Sequence, residues 1–116
     1  MGKNASIAVL DASGNVLLLF KGNGVGPHNT LASQRKAYTS LSTKTSSLEL
    51  MKKAEASPDS KNLNTLPELL LLGGGVPIFK DGSLIGSLGV SGAGGGENDN
   101  TIAINAIRSL NFKEKQ

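Results

Sequence analysis

The chain has 116 residues and a formal net charge of +3, a length that suits one domain built on one core. Cysteine is absent, which excludes disulfides, thiolate catalysis and cysteine metal sites. Aromatic residues make up only 3 %, so aliphatic side chains fill the interior, and the scattered Lys and Arg form no aromatic-interleaved stripe of the kind that binds nucleic acid.

The opening Met1-Gly2-Lys3-Asn4-Ala5-Ser6 matches the loose N-myristoylation pattern, a weak signal that reads as chance. No secretory signal precedes the first strand, and no apolar run, Leu69 to Leu72 included, is long enough to cross a bilayer. A soluble, cytoplasmic protein with no membrane partner is the expectation.

Ser6 to Leu10 and Val16 to Phe20 are apolar runs around the turn formers Asp11 to Asn15, and they read as a β-hairpin. Neither run alternates as a strand with one wet face does, so this hairpin is expected to be covered on both faces. Lys21 to Pro27 is a glycine-rich loop. A helix follows, with Asn29 or Thr30 as its N-cap. Leu31, Ala37, Tyr38 and Leu41 are expected on its buried face, and its end falls near Thr43.

Ser46 and Glu49 have capping-box spacing and open a short helix that stops before Ser57-Pro58. Asp59 to Thr65 is polar and loop-like. Leu66 to Leu72 is apolar, and its pattern leaves strand and helix open. Val76 to Lys80 and Ser83 to Val90 form a second hairpin around Asp81-Gly82, in which Gly86 and Gly89 imply that something approaches the strand closely. The last helix starts near Glu97-Asn98-Asp99, where acidic side chains suit the helix dipole. Ile102, Ala103, Ala106, Ile107 and Leu110 form its expected buried stripe, and Phe112 to Gln116 are expected to fray.

The chemistry is sparse. Neither G-x-G-x-x-G nor G-x-x-x-x-G-K-[ST] occurs, so the glycines read as turn formers. An anion nest at Gly94 to Glu97 is disfavoured by Glu97 and Asp99. His28 is the single histidine, whereas a metal cage commonly uses more than one. Its simplest role is a solvent or capping histidine, and its functional roles are axial ligand or general base. Asp11 and Asp99 fit a turn former and a helix N-terminal carboxylate better than a catalytic pair. Tyr38 is expected in the core, with Arg35 and Lys36 beside it as candidates to face a carboxylate ligand.

The segments Gly73-Gly74-Gly75-Val76-Pro77-Ile78, Asp81-Gly82 and Ile85-Gly86-Ser87-Leu88-Gly89-Val90-Ser91-Gly92, then Asp99 and Ile102-Ala103, form one long pattern. It resembles the signature of the GlcG/HbpS family, the haem-degrading or haem-binding domains that also form the C-terminal domain of PduO-type corrinoid adenosyltransferases. Ile7-Ala8-Val9-Leu10-Asp11 with Gly14-Asn15-Val16 is similar to that family's first hairpin. Ala32, Arg35, Lys36, Ala37 and Thr39 are similar to its central helix. The resemblance implies a single α/β (α+β) domain over residues 1–116, with an antiparallel sheet of four to five strands and flanking helices, profilin-like or PAS-like. It also implies a homo-oligomer, octamers included, and haem or a related tetrapyrrole as ligand.

One departure matters. Family members begin with a helix of about twenty residues before the first strand, and here that strand starts almost at Met1. Some haem-binding relatives carry an iron-ligating histidine in or near that helix, and no residue here inherits it. By elimination His28 becomes the candidate metal ligand, with His28, Arg35, Lys36 and Tyr38 as candidate cofactor-binding residues. An apolar hairpin with few helices to cover it also implies a homo-oligomer. Three readings follow: a tetrapyrrole-binding module, a non-catalytic assembly or accessory protein, and an enzyme acting on a small carboxylate such as glycolate through His28, Arg35, Lys36 and Asp99.

Overall fold

The computed structural model describes residues 4–116, so Met1, Gly2 and Lys3 of the myristoylation-like opening lie outside the described residues. Strands β1 (Ser6–Asp11), β2 (Val16–Lys21), β3 (Gly75–Lys80) and β4 (Ser83–Ser91) form one antiparallel sheet in the order β2-β1-β4-β3. Helix α1 (His28–Thr43) crosses one face, α4 (Gly96–Ser109) crosses the other, and α2 (Ser47–Ala56) and the short α3 (Pro58–Lys61) lie between α1 and β3 in the chain. This is the mixed α+β architecture that the resemblance implies.

The first turn is built by one carboxylate. Asp11 Oδ1 accepts from the backbone N–H groups of Ser13 and Asn15, both at 2.9 Å, and Oδ2 from the Asn15 side chain at 3.2 Å. The Asn15 backbone amide, helped by the Asn15 side chain and the neighbouring N–H groups, holds this carboxyl below the usual carboxylate range.

Small residues decide how α1 docks. Gly75, Gly89 and Ala8 stand side by side across β3, β4 and β1, directly beneath Ser33, Ala37 and Ser40 of α1, all fully buried. A Cβ on Gly89 would lie 1.9 Å from the Ser33 carbonyl oxygen, and one on Gly75 2.0 Å from that of Lys36. A Cβ on Gly86 would lie 2.4 Å from the Leu10 carbonyl oxygen. The close approach read at Gly86 and Gly89 is therefore present.

Several expectations need correcting. Helix α1 begins at His28, with Pro27 as N-cap residue, ahead of the expected Asn29 or Thr30. Leu31 and Tyr38 face outward, because the helix meets glycines with its small residues rather than with its large ones. Ala106 of α4 and Leu110, just past its end, are exposed, since α4 packs mainly over β3 and β4. Asp59 to Thr65 forms α3 and a 3₁₀ turn rather than a loop, with Pro58 in the first helical turn, where its lost N–H is harmless. Leu66 to Leu72 is neither strand nor helix. It is pinned by the Leu70 N–H, which donates to Thr39 Oγ1 at 2.8 Å, and by buried Leu71, which packs on Leu50 and Ala54. Ser46 caps α2 as read, its Oγ accepting the Glu49 N–H at 3.2 Å, while the Glu49 carboxylate pairs with Lys115 rather than returning to the cap.

The C-terminal tail does not fray. The Phe79 N–H donates to the Lys113 carbonyl at 2.7 Å and the Lys113 N–H returns to Phe79 at 3.0 Å, which satisfies backbone groups on the outer edge of β3. An Arg108–Glu114 ion pair clasps the tail to α4. The hydrogen bond from Arg108 holds the Glu114 carboxyl below its ordinary range, so this clasp stabilises the docked tail above the unfolded carboxylate pKa and is lost as pH falls through the folded one. The protection factor of the Lys113 amide, taken against intrinsic exchange at the same pH, is expected to fall below about pH 4.3. In Glu114→Gln it is expected to be low already at neutral pH, with no acid step.

The hairpin expectation fails on one strand. Every residue of β2 is exposed, because α1 centres on β4 and β1 while α4 stops at β4.

Candidate functional site

Helix α1 has a second face. Leu31, Gln34, Arg35 and Tyr38 recur at i, i+3, i+4 and i+7 and point away from the sheet. With Leu10, Gly14, Pro67 and Glu68 they line an open cleft of about 440 Å³. Its walls are apolar: Leu10, Leu31, Pro67 and the ring of Tyr38. Its polar groups are the Arg35 guanidinium, the Gln34 amide, the Tyr38 hydroxyl and the Glu68 carboxylate. An apolar concavity with a few convergent polar groups is the usual form of a small-molecule site. The Tyr38 ring reaches the hairpin turn, where a Cβ on Gly14 would lie 3.3 Å from Tyr38 Cε1. Among the described residues Arg35 belongs to no ion pair.

His28 is exposed on the first turn of α1, with its ring beside Gly26. It precedes Leu31 by three residues and Arg35 by seven, so it shares their side of the helix about 10 Å from Arg35 along the axis. It does not line the cleft itself. Among the described residues no cluster of three or more His, Asp or Glu side chains could cage a metal ion.

Lys36 points the other way. Its Nζ lies 3.0 Å from Asp99 Oδ2 with both side chains buried, and it donates to the Val90 carbonyl at 3.2 Å and to Ser91 Oγ at 3.3 Å. Asp99 Oδ1 accepts the Ala93 N–H at 2.9 Å, and the Ser91 hydroxyl donates to Asn29 Oδ1 at 2.8 Å. The carboxylate that Lys36 faces is thus the protein's own, and the network ties α1 to β4 and to the start of α4.

Of the four candidates, the structure gathers Arg35 and Tyr38 in one cleft, sets His28 on the same side of the helix, and buries Lys36 on the opposite one. Gln34, Pro67 and Glu68 were not singled out from the sequence. Gln34 was legible, since it lies four residues before Tyr38 on the same stripe. Pro67 and Glu68 were not, because an irregular segment places them. The Lys36–Asp99 pairing, 63 residues apart, left no local signal.

The fold and this two-faced central helix define a class: the family model described as haem degrading protein HbpS-like matches residues 1–108, and the chain belongs to that family. Among solved structures, a double mutant of Streptomyces reticuli HbpS is 33 % identical with a TM-score of 0.85, over 94 % of this chain and 73 % of that one. A PduOC:heme complex is 27 % identical with a TM-score of 0.86, over 98 % and 83 % of the two chains. The corrinoid adenosyltransferase PduO of Citrobacter freundii is 28 % identical over 112 residues, 95 % of this chain but only 33 % of the relative's length, so the chain spans about a third of that enzyme.

Proposed function

We propose that the chain is a small-molecule-binding domain for haem or a related tetrapyrrole, located in the cytoplasm and working as an assembly of identical copies. The observation that carries this reading is the outward stripe of α1, where apolar walls share one cleft with a guanidinium that no ion pair holds among the described residues. A tetrapyrrole is a flat apolar plate with carboxylate arms, and that donor set fits it. Leu31, Tyr38 and Leu10 would take the ring, and Arg35 a propionate through a charge-assisted hydrogen bond. His28 would offer one imidazole to the metal. Its separation from Arg35 is comparable with the reach from a tetrapyrrole centre to the end of a propionate arm. Bound haem would supply a redox-active, ligand-binding iron. Lys36 would hold α1 in place rather than touch the ligand.

Further support comes from the relatives: one structure of similar fold is a PduOC:heme complex. Among the described residues no helix is long and apolar enough to cross a membrane, and nothing in the reading calls for a nucleic-acid partner.

Titrating haem into the purified protein is expected to shift the Soret band at micromolar concentration. Arg35→Ala should weaken binding about tenfold, the worth of one charge-assisted hydrogen bond, while His28→Ala should change the band's position. A band indifferent to protein, or to both substitutions, would overturn the reading.

A further inference from the structure

The cleft on the outer face of α1 contains one group that haem leaves unused. Glu68 lines it together with Arg35, Gln34 and Tyr38, and among the described residues neither Glu68 nor Arg35 belongs to an ion pair. The two charges therefore stand apart, each open to a ligand. Local structure puts Glu68 there. The Leu69 N–H donates to the Leu66 carbonyl at 3.1 Å, which closes a tight turn with Pro67 and Glu68 at its centre. A proline at the first central position pre-sets such a turn. The Thr39 hydroxyl ties the turn to the helix, accepting the Leu70 N–H at 2.8 Å and donating to the Arg35 carbonyl at 2.8 Å. One side chain thus joins the segment that carries the carboxylate to the turn of helix that carries the guanidinium.

The chemistry of a tetrapyrrole decides what this pair of charges can read. A propionate arm suits Arg35. A carboxylate accepts only, so Glu68 calls for an N–H donor. In haem every ring nitrogen binds the iron and none offers an N–H. In a closed, metal-free ring the N–H groups point to the centre and cannot reach a wall. Once the ring is opened the pyrroles can turn, and their N–H groups lie along one edge while the propionates leave from the other. We propose that the cleft takes an open-chain, metal-free tetrapyrrole, with pyrrole N–H groups donating to Glu68 and a propionate held by Arg35. This rests on the tetrapyrrole reading above and narrows it. The cleft itself offers no imidazole, since His28 lies outside it, but it does offer the acceptor that pyrrole N–H groups require. The Gln34 amide and the Tyr38 hydroxyl suit the terminal lactam groups, which accept through oxygen and donate through nitrogen. A carboxylate beside the pyrrole nitrogens also favours their protonated, cationic form.

Biliverdin and haem are titrated separately into the purified chain and followed by absorbance. Biliverdin is expected to bind at micromolar concentration, with its long-wavelength band strengthened and moved to the red as the bound pigment is held protonated. Glu68→Gln keeps the shape of the wall and removes its charge. It should weaken biliverdin about tenfold, the effect expected for one charge-assisted hydrogen bond, and return the band toward that of the free pigment. Haem affinity should stay unchanged in the same variant, whereas Arg35→Ala should weaken both ligands. Glu68 sits on an exposed turn, so the variant is expected to fold, with circular dichroism equal to the parent's. The two ligands keep two failures apart. Haem binding without biliverdin binding, or a Glu68→Gln loss equal for both ligands, would overturn this proposal and leave the tetrapyrrole reading in place. Binding of neither would overturn both.

Discussion

Replacing Gly89 by alanine is expected to destabilise the fold by at least about 3 kcal/mol, beyond the usual range for overpacking. The new methyl would meet backbone on two sides, 1.9 Å from the Ser33 carbonyl oxygen and 2.9 Å from the Ala37 nitrogen. Backbone of a packed helix cannot rotate aside as a side chain can, so α1 must lift from the sheet. The whole Gly75–Gly89–Ala8 row then loses contact, and the cleft on the outer face of α1 loses its floor at Leu10. Gly24→Ala separates this effect from glycine's conformational freedom. Gly24 has φ of +76° with nothing within 4 Å of an added Cβ, so only backbone strain of about 1 kcal/mol should appear. Thermal melts of the two variants measure the contrast directly. Near-equal losses would show that α1 docks less tightly than described.

Removing the Lys36 ammonium should have an effect of similar size. Lys36→Met leaves Asp99 buried with the Ala93 N–H and the start of α4 to stabilise its charge, and breaking a buried pair from one side costs about 3–5 kcal/mol. The Val90 carbonyl also loses a donor. Replacing both partners, Lys36→Met with Asp99→Leu, should recover part of the loss, because no lone charge then remains in the interior. Urea unfolding of the two single variants and the double variant closes the cycle. If the single variants were as stable as the parent, the pair would not be what fastens α4 and β4 to α1.

The same two sites show what the sequence could and could not disclose. Both hairpins, the Ser46–Glu49 cap, the Asp11 turn and the C-terminal ends of α1 and α2 rest on interactions within a few residues, and they were readable. Gly86 and Gly89 were readable as close approach because a glycine inside a strand has few other reasons to be there. The orientation of α1 was legible only in part: Ala37 and Leu41 are buried as read, but Leu31 and Tyr38 are not. Hydrophobicity assigned Leu31 and Tyr38 to the core, whereas a helix that packs on glycines buries serine and alanine and leaves its larger residues outside. That inversion also hid the cleft, because the residues taken for core are the ones that line it. Lys36 and Asp99 had been noted separately, but the turn of the chain between β4 and α4 brings them together, and no local spacing records it. The docked tail was missed for a similar reason: its partners lie on β3, far back in the sequence.

Exposed β2 is a different kind of departure. The apolar pattern of Val16 to Phe20 called for cover on both faces, and a single copy leaves all of it open. The pattern describes the strand's need for burial, which packing among the described residues does not meet.

The central claim is that the outward stripe of α1 is where a ligand docks, and amide-resolved NMR with haem added tests it most directly. The account predicts shifted or iron-broadened signals from His28, Leu31, Arg35 and Tyr38 and from Gly14 and Glu68 across the cleft, with Lys36 and Asp99 little changed. Perturbations centred instead on the docked C-terminal tail around Arg108 and Glu114, or spread without focus over the surface, would contradict it.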